Sequence, residues 1–310
     1  MSRNKTSLWG LVLGAAVVAL SGSARADGIA LSAAELPSQV KQSLAKDVAA
    51  YKAAHAADFK PVRDVQGIKP DVYKAYRNPQ PVAVLELKRL GAGALLPMLD
   101  VLALDAPALT LSDKEKTAYI VGLLEASSAL RDARSGPVYT AIFEAKNKPN
   151  DVLRAAAEAL GRVCGDAELG TLKKHTAAGD ALRTHAIRGL SQCRRKEGVE
   201  HLATLLGAAS DAASAEPIAD ALGLASSSWA WKAMGAKSAA AAKDVQQIAA
   251  KALITSFVKH KDARPAARKA LKLVESPDAV TLIAAARTSA DAVTQSALDE
   301  LAKAVTPATK

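Results

Sequence analysis

The chain has 310 residues, half of them apolar, with 4% aromatic side chains and a formal net charge of +10. The apolar content is ample for a packed core. The scarcity of aromatics and the absence of alternating β-branched runs joined by Asn-Gly or Asp-Gly turns argue against an all-β fold.

Residues 1–26 read as an address. Arg3 and Lys5 precede an apolar run from Leu8 to Leu20, and Ala24-Arg25-Ala26 supplies a small-residue cleavage site. The run of 13 residues is shorter than the roughly 20 needed to span a bilayer. The segment holds three basic residues and no acid, so the remaining chain carries +7. The expected location is periplasmic or secreted, with no transmembrane segment after cleavage. A modest positive charge outside the cytoplasm does not point to nucleic acid, but it suits acidic surfaces.

Residues 27–80 are expected to form an N-terminal helix and an irregular capping segment. Leu36, Val40, Leu44, Val48 and Tyr51 recur at helical spacing. Pro61, Gly67, Pro70, Pro79 and Pro81 then interrupt the pattern, leaving room for a short helix near 71–76. From residue 81 the chain reads as helical hairpins. Val84, Leu87 and Leu90 line one helix, Gly91–Gly93 breaks it, and Leu95, Leu99 and Leu102 line the next. Ser112 and Glu115 have capping-box spacing. Gly136-Pro137 opens a helix carrying Tyr139, Ile142 and Phe143.

A repeat follows. DVLRAAAEALGRVCGDAELGTL begins at Asp151 and DALRTHAIRGLSQCRRKEGVEHL at Asp180. Asp151, Arg154, Ala157 and Cys164 recur 29 residues later as Asp180, Arg183, Ala186 and Cys193. Leu153, Ala157, Leu160 and Cys164 would share one helix face, and Gly165 would end that helix at positive φ. Such a unit cannot bury its apolar face alone, so repeated units imply a stack. Stacking would bring Cys164 and Cys193 side by side. In an oxidising compartment a disulfide is expected in preference to two buried thiols.

The pattern resembles short HEAT-type helical repeats, similar to those of phycobilisome-lyase-like repeat proteins. That resemblance implies an all-α fold, a right-handed α-solenoid of antiparallel helix pairs, over 81–305, with 306–310 a frayed tail. It also implies that Asp151, Arg154, Asp180, Arg183 and Asp262 stabilise the stack by linking neighbouring turns.

Beyond the repeats, Trp229 and Trp231 follow three serines. They read as a buried plug, the alternative being an exposed aromatic anchor. A helix is expected from about Lys243 to His260, and another from Asp291 to Val305. Between them, Lys261, Arg264, Arg268 and Lys272 are spaced three, four and four. This stripe is a solvated face or a docking strip for an acidic partner.

The sequence carries no H-E-x-x-H, close Cys/His cluster, G-x-S-x-G elbow or haem-attachment motif. No catalytic, cofactor-binding or metal-binding residue is therefore assigned. The expected function is an exported, non-enzymatic repeat scaffold that binds a protein partner. The alternatives are an envelope protein that binds acidic polymer, or an accessory subunit or enzyme with an unrecognised site. N-terminal sequencing of the exported protein is expected to start at Asp27, and a start at Met1 would reject the address.

Overall fold

The computed structural model describes residues 27–64, 82–108, 110–235 and 239–306, excluding the side chains at 82 and 239. The address at 1–26, the short helix expected near 71–76 and residues 307–310 lie outside the described residues. Within them the chain is all-helical, without a β-strand.

The N-terminal part comprises α1 (Ser38–Ala54) and α2 (Phe59–Arg63). The central part runs through α3 (Val82–Arg89), α4 (Leu95–Ala103), α5 (Asp113–Ala129), α6 (Gly136–Glu144), α7 (Asn150–Val163), α8 (Asp166–Lys174), α9 (Arg183–Leu190) and α10 (Lys196–Ala208). The C-terminal part holds α11 (Ala212–Ala225), the short α12 (Ser228–Lys232), α13 (Ala239–Lys259), α14 (Arg264–Val274), α15 (Ala279–Arg287) and α16 (Ala292–Val305).

Contacts run in two series. In the first, α3 packs on α5, α5 on α7, α7 on α9, α9 on α11, α11 on α14, and α14 on α16. In the second, α1 packs on α4, α6 on α8, and α10 on α13, which packs on α15. Cross-contacts such as α6 with α7 and α10 with α11 join the series, and one continuous apolar core runs between them.

Local chemistry fixes several boundaries. Ser112 and Glu115 form a reciprocal capping box at the start of α5. Asp211 and Asp291 cap α11 and α16 by accepting from the third backbone N–H beyond them. The end of α7 differs from expectation: Cys164, not Gly165, takes the left-handed conformation, at φ 43°. Gly165 is extended, with φ −69° and ψ −179°. Cys164 is bonded to Cys193, and its N–H still closes the helix on the Leu160 carbonyl.

The inward face of α7 is wider than the expected stripe. Leu153 is only half-buried, whereas Val152, Ala155, Ala156 and Ala159 are buried along with Ala157 and Leu160. The reason is that α7 is flanked by α5 and α9 and also touches α6 and α8.

The first series packs through small residues. A Cβ added to Gly161 of α7 would lie 1.9 Å from the Gly189 carbonyl oxygen on α9. One added to Gly189 would lie 2.5 Å from the Ala157 carbonyl oxygen. Further along, a Cβ at Gly223 of α11 would meet the Ala270 Cβ of α14 at 2.7 Å. Side chains are excluded where these backbones meet.

Before α1, the chain from Asp27 runs beside the end of α4. Ile29 N–H donates to the Val101 carbonyl at 2.8 Å, and Ala30 N–H donates to Leu102 at 3.0 Å. Ile29, Ala30 and Leu31 are buried there. Arg63 holds α2 against the same helix end through Asp100 at 3.2 Å and Asp105 at 3.1 Å.

The seam makes contrasting glycine substitutions informative. Gly161→Ala is expected to destabilise by about 1–3 kcal/mol, the usual range for overpacking. A Cβ at Gly170, which lies within α8, meets nothing within 4 Å. Gly170→Ala is therefore expected to stabilise by about 0.5–1 kcal/mol through helix propensity. Urea denaturation of the two variants checks both signs, and equal effects would reject the tight seam.

Candidate functional site

The strongest candidate is a groove between α14 and α16. The start of α14 fixes its geometry: Pro265 occupies the first turn, where its missing N–H costs nothing. Arg264, Arg268 and Lys272 then fall on one side of the helix, as their spacing requires. The groove has a volume of about 610 Å³. Phe257, Pro265, Leu273, Ala297 and Leu301 supply apolar lining, while Arg264, Arg268, Lys269 and Lys272 supply positive charge. Glu300 is the single acid in the lining.

The cations are not equivalent. Arg264 is part of the framework: its Nε donates to the Phe257 carbonyl at 3.1 Å and its Nη2 to Thr294 Oγ1 at 3.1 Å. Its guanidinium also lies 5.1 Å from the centre of the Phe257 ring. Lys269 pairs with Asp220 of α11 at 3.0 Å. Arg268 and Lys272 are exposed and have no hydrogen bond or ion pair among the described residues. Glu300 bonds to Lys303 at 2.8 Å, which is the main reason its carboxyl sits below the usual range, with Arg268 a smaller influence. Lys261 lies outside the groove lining, in the turn before α14.

The tryptophans divide. Trp231 is buried, and its Nε1 donates to the Ala225 carbonyl at 2.9 Å, so it plugs the end of α11. Trp229 is 78% exposed on the same short helix. Two positions apart on α12 place them on different sides of a helix.

The repeated polar residues make mostly local bonds. Asp151 pairs with Arg154 in its own helix at 3.7 Å. Asp180 accepts from Leu182 N–H at 2.7 Å and meets His175 Nδ1 at 2.9 Å. Arg183 donates to the Thr176 carbonyl at 3.0 Å, seven residues earlier, as Arg264 does to Phe257. Asp262 is exposed. Cys164 and Cys193 form a disulfide with their Cα atoms 5.6 Å apart. In the chain-entropy picture such a loop stabilises by about 3–4 kcal/mol.

A second polar surface lies on α5, α7 and α9, and no motif of the sequence marks it. Glu158 is buried and shared by three guanidiniums: Arg188 at 2.9 Å, and Arg154 and Arg162 at 3.5 Å each. Arg162 also donates to Ser128 Oγ on α5 at 2.8 Å. The signal that could have found it is a spacing, since Arg154, Glu158 and Arg162 stand four residues apart on α7. Glu125 of α5 is buried beside this group, and its Oε2 accepts no hydrogen bond. Burial pushes its carboxyl up, opposed by Arg162 and raised further by Glu158.

Among the described residues no group of three His, Cys, Asp or Glu side chains is arranged to hold a metal ion. Nor is any helix there long and apolar enough to cross a membrane.

Glu125 gives a pH signature. A carboxyl raised in the folded state adds stability below its unfolded value of about 4.3, and that stability is lost as pH rises through the folded value. Glu125→Gln removes the loss. Thermal melts from pH 8 to pH 5 are expected to show the variant more stable than wild type at pH 8, the gap narrowing towards pH 5. A constant gap would assign the effect to packing.

No family model matches the chain, and no curated protein matches it.

Proposed function

We propose that the protein is an exported, non-enzymatic scaffold that binds an acidic, partly apolar segment of a protein partner in the groove between α14 and α16. The observation that carries this reading is the pairing of an apolar lining with two cations, Arg268 and Lys272, that have no partner among the described residues. Exposed charges of this kind contribute little to folding, so they are available to set the rate and selectivity of association. Trp229, 78% exposed, is a second anchor in this reading.

The architecture we propose is the HEAT-like one, a right-handed α-solenoid of antiparallel helix pairs over 81–305 with an N-terminal cap. The serial contacts of α3, α5, α7, α9, α11, α14 and α16 support it, as does the repeated Arg-to-carbonyl bond of Arg183 and Arg264. A periplasmic or secreted location is part of the proposal. The disulfide supports it, because such bonds persist in oxidising compartments.

An acidic envelope polymer is the competing ligand, favoured by the same cations. Capture from an envelope fraction separates the two. Retention of a protein that survives about 0.5 M salt is expected, because apolar burial is not screened. Arg268→Glu/Lys272→Glu is expected to weaken capture about tenfold or more with stability changed by under about 0.5 kcal/mol. Loss of all binding at moderate salt would favour the polymer. Binding unchanged in that variant and in Trp229→Ala would reject both surfaces.

A further inference from the structure

Another groove, of about 640 Å³, lies along α6 and α8 beside the chain that enters α1. Pro137, Ala141 and Ala167 supply apolar lining, and Thr140, Thr171 and Glu168 supply polar groups. Two further acids of the lining are already engaged: Glu35 pairs with Lys148 at 2.9 Å, and Glu144 with Lys174 at 2.8 Å. Glu168 is different. It is 7% exposed, and its side chain makes no hydrogen bond or ion pair among the described residues. Lys146, the one cation of the lining, forms no ion pair with it.

The fold holds the Glu168 carboxyl in place without giving it a donor. A Cβ at Gly136, the first residue of α6, would overlap Oε1, and a Cβ at Gly165, just before α8, would stand 2.6 Å from Oε2. The carboxyl thus fills the space that two glycines leave at the starts of two helices, and no N–H of either helix donates to it. Neither oxygen is sealed from water, so the carboxyl opens into the groove that Glu168 lines. Thr171 stands three residues along α8 from Glu168, on the same side of the helix. Thr140 stands about one turn along α6 from Gly136, beside which Oε1 lies. Both threonines are half-buried, and neither hydroxyl makes a hydrogen bond among the described residues. The groove therefore gathers a carboxyl and two hydroxyls, each able to accept and each without a partner, beside an apolar wall. A buried polar group in that condition is costly to leave unpaired.

We propose that this groove binds a small aliphatic primary amine, with the ammonium on Glu168, Thr140 and Thr171 and the alkyl chain against Pro137, Ala141 and Ala167. An ammonium carries three donors and no acceptor, which matches the three groups. The volume falls in the range of small-molecule sites. The apolar wall selects an organic cation over a hydrated inorganic one. A peptide would bring backbone N–H and C=O groups that need partners, and the rest of this lining, with Glu35 and Glu144 engaged, offers few. The site shares no residue with the α14–α16 groove, so the two readings fail independently.

An NMR titration of the whole isotope-labelled chain with butylammonium chloride tests the site. Saturable shifts are expected at the amides of Gly136, Thr140, Gly165 and Thr171, and butanol at the same concentration should not produce them. Glu168→Gln keeps the size of the side chain and has no bond to lose, so it is expected to fold and to weaken binding about tenfold or more, the usual cost of a lost charge-assisted bond. Thr171→Val is expected to weaken it about threefold, and it decides the matter if Glu168→Gln does not fold. Arg268→Gln/Lys272→Gln should leave amine binding unchanged. The proposal is overturned if no saturable shifts appear, if butanol or sodium chloride at matched ionic strength reproduces them, or if a folded Glu168→Gln, or failing that Thr171→Val, binds as wild type does. Tighter binding of N-acetyl-lysine amide than of butylamine would overturn the free-amine assignment and place the ammonium on a partner protein's lysine.

Discussion

The backbones of α7 and α9 meet with no room for a side chain between them, and much of the molecule's surface chemistry depends on that approach. With Gly161 against Gly189 and Gly189 against Ala157, the helices sit closer than larger residues allow. Dispersion contacts between backbones replace side-chain interdigitation there. Long side chains flanking the seam can then bridge it. Arg188 of α9 reaches Glu158 of α7 across it.

The two charged surfaces have different energetic roles. On α7 a buried carboxylate is satisfied by three arginines, of which Arg162 is half-buried while Arg154 and Arg188 reach well into water. Removing that carboxylate would strip these arginines of their shared partner, so the charges are tied into the fold. On α14 the outermost cations stand in water above apolar residues, where they cost little and hold nothing in place. Arg264 marks the boundary between the roles, since it lines the groove yet is fixed by Phe257 and Thr294.

The all-helical fold and the disulfide are legible in the sequence, because helical spacing and caps run along it and Cys164 and Cys193 hold the same place in two similar stretches. The basic stripe is legible as periodicity, but its surroundings are not: the lining from Phe257, Ala297 and Leu301 comes from distant positions. Sequence spacing treats the tryptophans as a pair, and one alternative holds for each. Trp231 finds a carbonyl at the end of α11, whereas Trp229 points elsewhere because two residues advance a helix by about 200°. The seam is hidden in the sequence because Gly161 and Gly189 are 28 residues apart, one short of the repeat offset. Glu125 is hidden because it sits among apolar neighbours and has no partner on its own helix to announce it.

The disulfide joins the ends of α7 and α9, neighbours in the first packing series, near the middle of the chain. In a stack held by nearest-neighbour contacts, an end unit detaches at the cost of a single interface, so partial opening starts at the termini. A covalent tie in the interior leaves that fraying intact and suppresses a different motion, the parting of α7 from α9. The tie acts on the central contact of α7 with α9 and not on the contacts of α1 with α4 or of α14 with α16.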